Sequence, residues 1–368
     1  MKVDLVSVVP SPYQRDLFSA LASEPTCDLR VHYLEDAAPD SPWPARSLAP
    51  YETVLPGWTA GRGRVRCHTN WALPNFADTD IAIVNAALTG VTTQQVIQKL
   101  CKRNLPWVFW GETLRSRTGL PGIVQQALAK RLHQASAIVA IGSVAQADYR
   151  RRFPKTPVYQ LPYFCDLEAF AQAAAGRGTT SSEAVFLFCG QMIRRKGIDV
   201  LLNAYQEAWR LGLRARLILV GREAELPPLV EALPEQVRQS IEFAGFQAPE
   251  ALPAIFAKAD VFVLPSRHDG WGVVVNQALG AGLPIITTGA VGAAHDLVKP
   301  GINGIIVPAG ETAPLADAMV KLGTDQALRA TMSRRSLARS QQLTPVAGAR
   351  AFLNILDSVL ASESPLIA

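Results

Sequence analysis

The stretch that decides the fold runs from Ala259 to Thr288: ADVFVLPSRHDGWGVVVNQALGAGLPIITT. An apolar strand, Asp260–Pro265, stops at a proline, and a polar loop, Ser266–Asp269, follows. Gly270-Trp271-Gly272 then lead into a helix predicted over Val273–Ala281, and a second strand covers Pro284–Thr288. Two glycines just before a helix let the backbone approach a ligand closely. The free N–H groups of the helix start and its dipole suit an anion, most often a phosphate. Gly270, Trp271, Gly272 and Val273 are therefore candidate phosphate contacts. Asp269 at the loop tip faces one end of such a ligand, and Gln277, two turns into the helix, reaches hydroxyls at the other.

The same alternation extends in both directions. Upstream, Val185–Cys189, Arg216–Val220 and Ile241–Phe243 read as strands, with helices over Asp199–Trp209 and Pro249–Lys258. The first half repeats the rhythm. Val3–Val9, Ile81–Asn85, Trp107–Trp110 and Ala137–Ile141 are predicted strands. Gln14–Ala22, Val91–Arg103 and Ile123–His133 are predicted helices, and Ser143 is the expected N-cap of another over Val144–Arg152. Between the halves, residues 171–182 hold Gly176, Gly178 and a Thr-Thr-Ser-Ser run, which reads as a linker. The prediction is α/β, with parallel sheets in two domains, 1–170 and 183–344, and a cleft between them.

Length and composition agree. At ~100–200 residues per domain, 368 residues suit two, and 49% hydrophobic against 18% charged residues excludes a disordered chain. No apolar run approaches the ~18 residues of a membrane span. Asp4, Pro10 and Pro12 break the opening that a signal peptide would need, so a cytoplasmic protein is expected. Five scattered cysteines without a Cys-x-x-Cys predict reduced thiols, neither a disulfide framework nor a zinc site. The net charge of +5 is uneven: Thr59–Lys155 carries 14 Lys/Arg against 4 Asp/Glu. Such a block favours an anionic substrate or an anionic membrane surface, or it is a solvated face; no helix-turn-helix or zinc finger points to nucleic acid. Tyr149–Phe153, with three arginines, is a candidate surface anchor.

Pro265-Ser266, the acidic Asp269, Gly270, an aromatic, Gly272 and Ala278-x-x-x-Gly282-x-Pro284 resemble the signature of the family-4 retaining glycosyltransferases. The resemblance implies the GT-B architecture, two Rossmann-like domains facing each other across a cleft. It implies a helix near residues 345–362 that returns to the first domain. In that family two glutamates eight positions apart contact the donor sugar and the ribose of the nucleotide; Asp269 and Gln277 occupy those places. The loop Gly190-Gln191-Met192-Ile193-Arg194-Arg195-Lys196-Gly197 resembles the one whose two cations meet the diphosphate. Lys196 matches, whereas Gln191 stands where an arginine is usual, and Arg194 or Arg195 is the candidate replacement. Gly221 with Arg222, and Phe246 after Gly245, match strand ends that meet the nucleotide.

The first half would bind the acceptor. Pro10–Arg15, with Tyr13 and Arg15, resembles a cleft loop in some members, and Glu112 holds the place of a histidine near the reacting centre. Arg115 and Arg117 either pair with Glu112 or bind an anionic acceptor. Asp78-Thr79-Asp80 is read as a strand-start turn, and His268 lacks a second ligand, so no metal and no cofactor are expected. The resemblance implies transfer of a sugar from a nucleotide diphosphate-sugar to a glycan or lipid-linked acceptor. Lys196, Asp269 and Glu112 would be its catalytic groups. The competing class is a nucleotide-sugar-binding or scaffolding subunit without turnover, motivated by Gln191, Asp269 and Gln277 departing from the pattern together.

Overall fold

A computed structural model describes residues 1–37, 47–62, 65–114, 118–176 and 183–363. The chain divides into two units, Met1–Cys165 with Pro345–Ala368, and Asp166–Thr344.

In unit 1, β1 (Lys2–Ser7), α1 (Pro12–Ala22), β2 (Asp28–Tyr33), β3 (Glu52–Val54), β4 (Gly57–Arg62), β5 (Val65–Asn70), β6 (Ile81–Asn85), α2 (Val91–Lys102), β7 (Trp107–Gly111), α3 (Gly119–Ala129), β8 (Ala137–Ala140), α4 (Ser143–Arg152) and β9 (Val158–Gln160) follow in sequence. Seven strands form one parallel sheet in the order β3-β2-β1-β6-β7-β8-β9, while β4 and β5 pair antiparallel as a separate ribbon. Consecutive buried residues, Ile81–Val84 in β6 and all four of β8, reflect a sheet covered on both faces. Trp110, fully buried, meets Phe18 of α1, Tyr163 and Phe352, with ring centroids 6.3, 5.9 and 5.4 Å away. Phe352 lies on the carboxy-terminal helix, Pro345–Glu363, which thus belongs to the core of unit 1.

In unit 2, α5 (Glu168–Ala175), β10 (Ala184–Cys189), α6 (Ile198–Arg210), β11 (Ala215–Val220), α7 (Leu226–Glu231), α8 (Glu235–Gln239), β12 (Ile241–Gly245), α9 (Leu252–Phe256), β13 (Val261–Leu264), α10 (Val274–Gly280), β14 (Ile285–Thr288), α11 (Gly292–Leu297), β15 (Gly304–Val307), α12 (Thr312–Thr324) and α13 (Gln326–Ser340) follow. The sheet is parallel, in the order β12-β11-β10-β13-β14-β15. Numbered within the unit, this is 3-2-1-4-5-6, the doubly wound dinucleotide-binding topology. Among the described residues no helix is long and apolar enough to cross a membrane.

Three local expectations are corrected. Residues 171–175 are helical, because Phe170 of α5 packs edge-on against Phe256, 5.3 Å away, and Leu167 and Phe170 sit against Gly280 of α10. The remainder of the expected linker, 177–182, lies outside the described residues. Ser143 is the first residue of α4 and Gly142, at φ 87°, is the cap. Tyr149 and Phe153 are buried, and Arg151 and Arg152 pair with Asp148, so this turn is core and local ion pairs rather than an anchor.

Two buried carboxylates hold the β1–β3 edge. Glu52 accepts Arg15 Nε at 2.7 Å and Nη2 at 2.5 Å, Tyr33 Oη at 2.6 Å and the Ala49 amide at 2.8 Å. Asp4 accepts Arg30 Nη2 at 2.7 Å and the Thr79 hydroxyl, and faces His32 Nε2 at 2.6 Å. Burial pushes both carboxyls up, but these partners outweigh it and hold both below the usual carboxylate range. Their stabilisation is complete above the unfolded value of ~4 and is lost as pH falls through the lower folded values. The urea midpoint should therefore drop below pH ~4, and Glu52→Gln should flatten that drop. At neutral pH the same substitution should cost at least about 3 kcal/mol by leaving Arg15 without its counter-charge. Burial also pushes the Cys27 thiol up to about 11 and the Cys189 thiol up to about 12. Iodoacetamide at pH 8 should modify exposed Cys67 and leave Cys27 and Cys189 intact in peptide maps of the folded protein.

Candidate functional site

The strand order of unit 2 reverses between β10 and β13, which pair through Phe186↔Val261 and Leu187↔Phe262. The chain leaves β10 toward β11 and β13 toward β14, so the loops after these two strands part and open a crevice at the carboxyl edge. The loops are residues 190–197 and 265–273, those singled out from the sequence. Their approach requires glycine. Gly197 has φ 75°, and a Cβ there would lie 2.1 Å from Pro265 O. A Cβ on Gly292 would lie 2.1 Å from Gly270 O, so the second loop rests directly on the start of α11.

Arginines fasten the two loops. Arg267 forms a two-pronged pair with Asp199 of α6, Nη1 to Oδ1 at 2.6 Å and Nη2 to Oδ2 at 2.8 Å, and Nη1 also donates to Arg194 O at 2.8 Å. The Arg267 amide donates to Arg195 O at 2.8 Å, and Arg195 Nη1 returns a bond to His268 O at 3.1 Å. Held in this way, Lys196 Nζ reaches Asp269 Oδ2, and both side chains are largely sheltered, 15% and 13% exposed. Two residues 73 positions apart thus share one corner of the crevice. Arg195 keeps further N–H donors beside them.

The other donor candidates line the same edge. The Gly190 amide donates to Val220 O at 2.8 Å and the Gly221 amide to Gly245 O at 2.9 Å, staggering the ends of β10, β11 and β12. Arg222 lies over the Phe246 ring, 5.8 Å from its centroid, which brings both to the mouth of β11 and β12. Gln191 is exposed, with Met192 behind it bonded through its amide to Arg222 O at 3.0 Å. Gln277 is half-buried, and its Oε1 is shielded from water without a hydrogen-bond partner. The Ser266 hydroxyl, fully buried at the head of the second loop, is in the same condition.

Trp271 leaves only its backbone to a ligand: its side chain is 1% exposed, and its indole N–H donates to Asn276 Oδ1 at 2.9 Å. The helix predicted over Val273–Ala281 is shorter, α10 spanning Val274–Gly280, with Gly272 at φ 89° before it. Two turns carry a short dipole, so the positive potential here comes mainly from Lys196 and Arg195. Sequence reasoning missed Arg267 and Asp199, which stand 68 positions apart and carry no spacing signal.

In unit 1 the corresponding edge carries an amide network among the described residues. Gln14 Nε2 donates to Asn85 Oδ1 at 2.8 Å, and Asn85 Nδ2 to Trp110 O at 2.8 Å. Tyr13 packs edge-on against Tyr163, 5.3 Å away. Arg15, expected to meet an acceptor, is instead taken up by Glu52. Glu112 is half-buried after β7, its carbonyl accepting the Tyr149 hydroxyl at 2.7 Å. Arg115 and Arg117 lie outside the described residues. Asp78 bonds Lys2 and Arg30 at 3.0 and 2.9 Å, and among the described residues no group of three His, Cys, Asp or Glu is placed to hold a metal ion.

Comparison with known proteins bears on this geometry. Residues 183–325 match the family model "Glycosyl transferases group 1". An alpha-D-kanosaminyltransferase of Streptomyces kanamyceticus is 25% identical over 215 residues, 56% of this chain and 55% of that protein. The chain spans about half the length of the curated relatives it matches. Sucrose-phosphate synthase from Thermosynechococcus elongatus superposes with a TM-score of 0.76 at 20% identity, covering 99% of this chain and 100% of that one. Anabaena HepE, solved with UDP, gives 0.73 at 18% identity over 97% and 100%. Residues 183–325, which hold every donor-site group from Gly190 to Gln277, form a group 1 glycosyltransferase domain, and the chain has the GT-B fold.

Proposed function

We propose that the protein transfers a sugar from a nucleotide diphosphate-sugar to a glycan or lipid-linked acceptor in bacterial polysaccharide or glycoconjugate assembly, at the cytoplasmic side. The observation that carries this reading is the Lys196–Asp269 pair at the strand-order reversal, with Arg195 beside it. In the resting site each charge satisfies the other. On binding, the diphosphate takes the lysine, and the carboxylate is released to accept hydroxyls of the donor sugar. The leaving diphosphate gains negative charge as the glycosidic bond breaks, and Lys196 with Arg195 meets that charge without a metal. Gln277 Oε1, sheltered and unpartnered, accepts a ribose hydroxyl. The acceptor hydroxyl attacks from the face the diphosphate leaves, which retains the anomeric configuration, and Glu112 orients that hydroxyl or takes its proton. HepE, which has the same fold, was solved in complex with UDP, which supports a nucleotide donor.

A thermal-shift screen with UDP-, GDP- and ADP-sugars should find one donor that stabilises the protein by ~2.7 kcal/mol at 100 times its dissociation constant. Lys196→Ala should then lower nucleoside diphosphate release by ~10²-fold or more. An unchanged rate removes the lysine from the mechanism. Donor binding without release, even with cell extracts supplying acceptors, would instead identify a binding subunit.

A further inference from the structure

Lys196 and Asp269 meet in one corner of the crevice, but the two are not held in the same way. Asp269 is fixed through its own backbone. Its amide donates to Ala290 O at 3.0 Å, and its carbonyl accepts the Gly292 amide at 3.1 Å. Both partners lie between the end of β14 and the start of α11, independent of the lysine loop. Lys196 stands instead on one tight turn, Arg194–Lys196, closed by the Gly197 amide donating to Arg194 O at 3.0 Å. Arg267 grips that same carbonyl, through Nη1 at 2.8 Å. From the other side the Arg194 amide is taken by Glu225 Oε2 at 2.9 Å. The turn that aims the lysine is thus clasped at a single residue, and one of the two clasps is Arg267.

Asp199 holds Arg267 in its turn. It lies in the first turn of α6, where the helix start favours a carboxylate. Burial pushes its carboxyl up, but the Arg267 fork outweighs this and holds it below the usual range, so the pair stays charged at neutral pH. Both side chains are 29% exposed, and an ion pair that open to water adds little to stability. What it supplies is direction. Both terminal nitrogens of the guanidinium are spent on Asp199 and Arg194 O, which makes Arg267 a strut between the second loop, α6 and the lysine turn. We propose that Arg267, with Asp199, is a positioning residue that sets turnover by aiming the Lys196 ammonium at the diphosphate, and that it acts through Lys196 rather than through Asp269. This rests on the transfer reaction proposed above, yet the aim of the lysine can be read without it.

Acetylation of Lys196 by sulfo-N-hydroxysuccinimide acetate, followed by peptide mass mapping with no ligand present, reads that aim. In the unaltered protein the sheltered, paired amine should react slowly beside exposed Lys321. Arg267→Ala, and Asp199→Asn, which keeps the size of the side chain, should each speed Lys196 about fivefold relative to Lys321. In steady-state diphosphate release, both variants should lower kcat by about tenfold or more, while the donor KM changes less than about threefold, because the lost interaction is one made to charge that develops in the transition state. Arg267→Ala combined with Lys196→Ala should release diphosphate within about twofold of Lys196→Ala alone, since a residue that acts through the lysine has nothing left to aim. Unchanged acetylation, effects that multiply in full, a change confined to KM, or loss of the folded state in both single variants overturns the proposal. Faster acetylation in the variants of a protein that releases no diphosphate overturns the transfer reaction alone and leaves the aiming of the lysine standing.

Discussion

Two loops from neighbouring strands of unit 2 must be held within hydrogen-bonding distance of each other, and Arg267 does most of the holding. A single exposed ion pair contributes ~1 kcal/mol or less. Here one guanidinium meets both oxygens of Asp199 and a backbone carbonyl, while its own amide bonds the opposite loop. The planar fork fixes direction as well as distance, which a lysine at the same place would not do. Because Gly197 lets Pro265 O come so near, the clamp acts across backbone contact rather than across water. Lys196 and Asp269 are thereby positioned before any ligand arrives, and positioning in advance is what makes a charged site effective at a developing anion.

The two units share a topology and differ in what stands at the corresponding edge. Unit 2 presents cations and a carboxylate. Unit 1 presents an amide network, Gln14, Asn85 and the Trp110 carbonyl, and its nearest arginine is consumed by buried Glu52.

Much of the strand–helix order was legible, because a parallel sheet covered on both faces demands apolar runs that few other structures need. The loop chemistry of residues 259–288 was legible for a related reason. Its glycines answer to backbone contacts, so their spacing survives in the sequence as a pattern. The Arg267–Asp199 clamp left no trace, since its partners lie on different strand–helix units. Residues 171–175 were misread because Gly176 and Gly178 dominated the stretch, although EAFAQAAA has good helix formers. The place of the Trp271 side chain was not legible either: a buried indole needs an acceptor, and Asn276 in the following helix supplies it.

Gln277 shows how a neutral residue suits this arrangement. Its Oε1 is closed off from water and has no partner, a condition that costs about 1–3 kcal/mol for a buried acceptor. A glutamate at the same position would bring a charge into the same shelter, and an unpaired buried charge costs more than an unpaired amide oxygen. Lys196 cannot relieve it, being committed to Asp269. In the transfer reaction proposed above, a ribose hydroxyl donating to that oxygen removes the penalty.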